Sequence, residues 1–142
     1  MSSIPRLTDL ETMIMKVLWE HDRGLTIQEI TACITEKAVS VASVAQAVKH
    51  MLAKEAVKVG EHVPVSNVYA RTFCPCFHQK EFLAAEFRRM QEAVFGSHKR
   101  HTVGITAAFL SAESAKNMEM EELEELQRII DEKKEKLKNG DK

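Results

Sequence analysis

The sequence predicts a mainly α protein with one small β-hairpin. Three observations predict it. Apolar residues recur at helical spacing through most of the 142 residues. Only 5 glycines and 3 prolines interrupt them, too few for an all-β fold. The pattern turns to β-branched alternation in just one stretch, between Val57 and Phe73.

Thr8 and Glu11 have capping-box spacing, and Leu10, Met13, Ile14, Val17 and Leu18 then mark a first helix to about His21, with Trp19 at the stripe's edge. Asp22–Arg23–Gly24 is a stop and turn signal. Thr26 and Glu29 form a second capping box, and Ile27, Ile30 and Ile34 mark a second helix ending near Lys37. A short break, Ala38–Val39, leads to Ser40 as the N-cap of a third helix running to Lys54. Its apolar stripe is Val41, Val44, Val48, Met51 and Leu52. Two short strands follow, Val57–Val59 and Asn67–Phe73, with Gly60–Ser66 as the turn region between them. Three helices and then a hairpin describe a winged helix-turn-helix domain over residues 1–75.

Residues 76–142 read as a helical C-terminal dimerisation domain. Phe82, Leu83, Phe87, Met90 and Val94 suggest a fourth helix over Gln79–Phe95, a polar loop spans Gly96–His101, and Ile105, Phe109 and Leu110 mark a short apolar segment. Met120, Leu123, Leu126, Ile130 and Leu137 line a final charged helix at near-heptad spacing. These stripes are too thin to form a core alone, and an identical subunit is the simplest cover for them.

The composition, 44% hydrophobic and 29% charged, is that of an ordinary soluble domain. The net charge of −1 speaks against a strongly basic, indiscriminate nucleic-acid binder. Cys33, Cys74 and Cys76 make no even disulfide framework, and no charged-then-apolar leader follows Met1. The longest uncharged runs, Ala38–Val48 and Thr102–Ala112, are too short to span a bilayer. The expectation is a cytoplasmic, reduced protein without membrane insertion.

The third helix carries the functional signal. Its second face, with Ala42, Ser43, Gln46, Lys49, His50 and Ala53, is short-chained, polar and free of acidic residues. Such a face fits the major groove of double-stranded DNA. Gln46 is the best base reader, because its amide pairs bidentately with adenine N6 and N7. Ser43 can donate to a base or phosphate, and Ala42 can touch a thymine methyl. Lys49, Lys54 and Lys58 are phosphate contacts by expectation, with Arg71 a weaker one on the wing and His50 an added charge at low pH. Cys74, Cys76 and His78 would point one way in an extended chain, a donor set suited to Cu(I) or Zn²⁺ but lacking an evident fourth ligand. No phosphate-cradling glycine loop, His-Glu zinc motif or nucleophile elbow is present, so an enzyme is not expected.

The order of these pieces resembles the BlaI/MecI/CopY penicillinase-repressor family. The resemblance rests on Leu7–Glu11 with Met15–Trp19, on Leu25–Thr26 with Glu29–Ile30, and on Val39–Ser40 with Ser43–Val44. Leu52 with Lys54, Val68–Tyr69, Phe95–Ser97 and Glu121–Leu126 complete it over nearly the whole chain. The resemblance implies a homodimeric repressor that binds a palindromic operator, with a membrane-bound sensor peptidase as a further partner in the resistance branch. The chain departs from the family pattern at Val39 (a tryptophan there), Ala42 (a lysine), His50 (a basic residue) and Glu55 (a glycine ending the recognition helix). Its wing loop, with Pro64, reads as longer. Ala108–Phe109 falls near the family's Asn-Phe cleavage pair, and the C-terminal cysteine hook of the copper branch is missing. Two alternatives stand beside the repressor: a winged-helix protein-interaction module with lost or weak DNA binding, and a thiol- or metal-responsive regulator using Cys74, Cys76 and His78.

Overall fold

Two threonine capping boxes start the first two helices. In the computed structural model, which describes residues 3–65, 68–96, 102–111 and 116–140, α1 runs Asp9–Trp19 and α2 Ile27–Cys33. Each threonine hydroxyl accepts from the backbone amide three residues on, and the Glu11 and Glu29 carboxylates accept in return from the amides of Thr8 and Thr26. Arg23 pairs with Glu29 at 2.8 Å. That hydrogen bond, with the one from the Thr26 amide, depresses the Glu29 carboxyl to about 2.

The second helix is shorter than expected. Ile34 leaves the helical path with ψ 114°, yet its side chain stays buried. Its backbone has to unwind there to keep that side chain in the core, and residues 34–40 make a longer connection than the two-residue break the sequence suggests. Ser40 then caps α3 (Val41–Ala53), its hydroxyl accepting from the Ser43 amide at 3.1 Å. The buried face of α3 is Val44, Ala47, Val48 and Met51. It packs on Ile14, Met15, Leu18, Leu25 and Ile30 to form the core. Val41, expected in the stripe, is 47% exposed instead.

α3 ends in a Schellman turn: the Ala56 amide donates to Met51 O at 2.8 Å and the Glu55 amide to Leu52 O at 3.2 Å. Glu55 takes φ 61°, the left-handed conformation that glycine adopts without a Cβ penalty.

Strands β1 (Val57–Val65) and β2 (Val68–Pro75) form an antiparallel hairpin. The wing is longer in strand and shorter in loop than the sequence suggests, for Pro64 lies in register with Tyr69 and Val65 with Val68. Residues 66 and 67, where the expected turn meets the expected second strand, lie outside the described residues. A bulge sets Gly60 and Glu61 against Thr72, since Val59 pairs with Phe73 and His62 with Arg71. Leu25 adds a bridge to Phe73 through bonds of 2.9 and 3.2 Å, an extra rung that no periodicity signalled. Gly24 permits that approach, because a Cβ there would lie 2.7 Å from Thr72 Oγ1.

α4 (Gln79–Phe95) keeps its expected bounds. The Trp19 indole donates to Phe77 O at 2.9 Å and lies 5.7 Å, centroid to centroid, from Phe82. Arg89 donates to the Ile4 carbonyl. These ties leave α4 up to Val94 in the same compact unit as the winged helix, Met1–Val94. Leu83, Phe87, Met90 and Val94 remain exposed on it.

The second unit, Phe95–Lys142, holds α5 (Thr102–Ser111) and α6 (Met120–Lys138). Arg128 bridges Glu125 and Glu132 on the wet side of α6, while Leu123, Leu126, Ile130 and Leu137 stay exposed along it. The polar loop expected at Gly96–His101 lies, beyond Gly96, outside the described residues.

The Schellman turn generates the first prediction. Replacing Glu55 with glycine removes the left-handed Cβ penalty and is expected to stabilise the fold by about 0.5–1 kcal/mol. Urea denaturation followed by circular dichroism checks it; a loss of stability would contradict the turn.

Candidate nucleic-acid interface

Because α3 buries a single stripe, the remainder of its circumference faces outward. Ala42, Ser43, Gln46, Lys49 and His50 are all exposed on it. Ser40 and Ser43 hydroxyls hydrogen-bond at 3.0 Å at the start of the helix. One turn further on, the Gln46 amide nitrogen lies 3.3 Å from His50 Nε2. With the ring proton on Nδ1, Gln46 donates one N–H to His50 and keeps its second N–H and its carbonyl oxygen free. Those are the two groups an adenine edge needs. An open groove of about 430 Å³ runs beside this face, between Ser43, Gln46 and His50 of α3 and Thr8 and Leu10 at the start of α1.

The basic residues divide. Lys49 is exposed on α3, and Lys58 is exposed on β1 opposite Cys74. Arg71 is exposed on β2, its guanidinium carbon 5.4 Å from the Phe73 ring centroid. Lys54 is committed inward. Its ammonium donates to Glu11 Oε1 at 2.7 Å and to Arg6 O at 3.1 Å. Glu11 is only 2% exposed. Burial pulls its carboxyl upward, but the hydrogen bonds from Lys54 and the Thr8 amide outweigh burial and hold it below the ordinary carboxylate range. The cation that sequence placed with the phosphate contacts thus fastens the end of α3 to the start of α1. Spacing could not reveal it, because 43 residues separate the partners.

The cysteine cluster does not assemble as an extended run. β2 ends at Pro75, Cys76 and Phe77 form a bend, and the His78 amide donates to Glu81 Oε1 at 3.0 Å as α4 begins. Cys74 Sγ instead packs toward Gly24 and Gly60, within 3.1 Å of where a Cβ on either would lie. The Cys76 thiol is pushed up by desolvation, against the pull of Lys58, which disfavours the thiolate a soft metal needs. Among the described residues no three His, Cys, Asp or Glu side chains are grouped to hold a metal ion. No helix among them is long and apolar enough to cross a membrane.

The Glu11–Lys54 pair generates a prediction with a defined sign. A carboxyl held below its unfolded value contributes stability above about pH 4.5, and that contribution is lost as pH falls through the lowered folded value. Lys54→Met leaves the buried carboxylate with the Thr8 amide alone and should cost about 2–4 kcal/mol near pH 7. Its stability should fall less steeply than wild type between about pH 5 and pH 3. Equal slopes in chemical denaturation across that range would contradict the pairing.

A family model described as "Penicillinase repressor" matches residues 7–132. No curated protein matches the chain.

Proposed function

The chain belongs to the penicillinase repressor family, and from that premise we propose that it is a homodimeric repressor that binds a palindromic DNA operator through α3. Family membership itself points to a DNA-binding, repressor-type regulator from a non-enzymatic class. The observation that carries the finer reading is the outward face of α3: Ser43, Gln46, Lys49 and His50, exposed together with no carboxylate among them. In this reading Gln46 reads an adenine, His50 orients its amide, and Ser43 donates to a neighbouring base or phosphate. Lys49, Lys58 and Arg71 take phosphates. Lys54 acts indirectly, as the tie that fixes the angle of α3.

Residues 1–75 serve as the DNA-binding part and 76–142 as the dimerisation part. The exposed rows of α4 and α6 support a second copy as their cover, since contiguous apolar rows of that length seldom face water in a monomer. Dimerisation also answers the charge balance. Three phosphate-directed cations per copy give weak electrostatic binding, and two copies on one duplex double the number of phosphates neutralised. The resemblance further implies a membrane-bound sensor peptidase as the agent of derepression, acting on a protein that stays in the cytoplasm.

Mobility-shift and fluorescence-anisotropy titrations against the DNA upstream of the gene test the proposal. Gln46→Ala should weaken operator binding about 5- to 100-fold and relax preference at one base pair per half-site. Lys49→Ala should weaken all sequences alike and lower the salt slope by about one per subunit. Both variants should remain dimeric by analytical ultracentrifugation. Unchanged operator affinity in both would favour the protein-interaction reading instead.

A further inference from the structure

Val41 opens α3 half-exposed, at 47%, and Ala45, one turn along, is exposed beside it. The two form one wall of an open cleft of about 400 Å³. Ile27 of α2 and Ala70 of β2 line it as well, and Arg71 stands over Phe73 at its rim. No carboxylate lines the cleft, and among the described residues Arg71 has no acidic partner. Around the helix, Val41 and Ala45 are followed by Lys49 and Ala42 and then by Gln46, so the apolar wall is continuous with the polar face.

We propose that this cleft takes the C5 methyl groups of thymine bases while Arg71 holds the adjoining phosphate. The proposal rests on α3 being the reading helix. The thymine methyl is the one apolar feature a base pair presents in the major groove, and short apolar side chains recognise it by contact. Valine and alanine keep the cleft open to a methyl group where longer side chains would fill it, and a rim cation without a carboxylate suits a phosphate. The arrangement makes Val41 and Ala45 specificity-determining residues and gives each half-site at least one thymine beside the base that Gln46 reads.

Deoxyuridine tests this, because it differs from thymidine only by the methyl group. Each thymine of the duplex bound in the operator titrations is replaced singly by deoxyuridine, and affinities are measured by anisotropy. At one or more positions per half-site the wild-type protein should bind about three- to fivefold more weakly. Val41→Ala should reduce that penalty to less than about twofold at the same position, the hallmark of direct coupling. Alanine at this exposed first-turn position favours the helix, and a circular dichroism melt verifies the fold. Arg71→Ala should weaken thymine and uracil duplexes equally. Binding of the thymine duplex with a flat deoxyuridine response, or a penalty that Val41→Ala leaves unchanged, overturns the thymine cleft alone and leaves it to a small apolar ligand. Failure of the wild-type protein to bind the thymine duplex overturns the DNA-binding reading and this one with it.

Discussion

A single carboxylate connects the beginning of α1 to the end of α3. Glu11 Oε1 accepts from the Thr8 amide at 2.8 Å and from the Lys54 ammonium at 2.7 Å. The first bond completes a helix cap, and the second closes an ion pair that is almost wholly shielded on the carboxylate side. With Ser40 capping the N-terminal end and the Schellman turn closing the other, α3 is fixed at both ends and along one stripe. Its outer face is therefore presented in one orientation before any partner arrives. A rigid element loses less conformational freedom on binding, so more of its contact energy appears as affinity.

Local chemistry made much of this legible in the sequence. The two Thr-x-x-Glu boxes, the Ser40 cap and the bounds of α4 follow from side chains that act within a single helical turn. The polar face of α3 was readable for the same reason, because helical spacing alone brings Ser43, Gln46 and His50 together. The features that stayed hidden depend on distant neighbours. Val41 has the hydropathy of a core residue, yet it stays 47% exposed among the described residues. Ile34 keeps its place in the core by giving up its helix, an outcome set by the shape of the core and not by its own propensity. Lys54 looks like any basic residue until Glu11 is brought beside it. The wing strands run through Gly60 and Pro64, residues that normally punctuate strands, because the bulge at Gly60–Glu61 absorbs the irregularity and a hairpin edge tolerates proline.

Ala42 and His50 leave the outer face of α3 short-chained and weakly charged, which in the proposed reading favours contact with base edges over phosphate attraction. In that reading such a surface gains less from counterion release and relies more on shape and on a second copy. Net charge is close to zero, and α4 and α6 each carry an exposed apolar row. In the proposed dimer, weak electrostatics and strong self-association are thus two sides of the same arrangement, with sequence discrimination carried by Gln46 and its apolar neighbours.

Backbone amide chemical shifts, recorded by NMR while the upstream duplex is titrated into labelled protein, put the reading of α3 to its most direct trial. The largest changes should fall on residues 41–50, with smaller ones at Lys58 and Arg71, and with α6 nearly silent. Changes confined to the second unit, or an α3 that does not respond while the duplex binds, would contradict α3 as the reading helix.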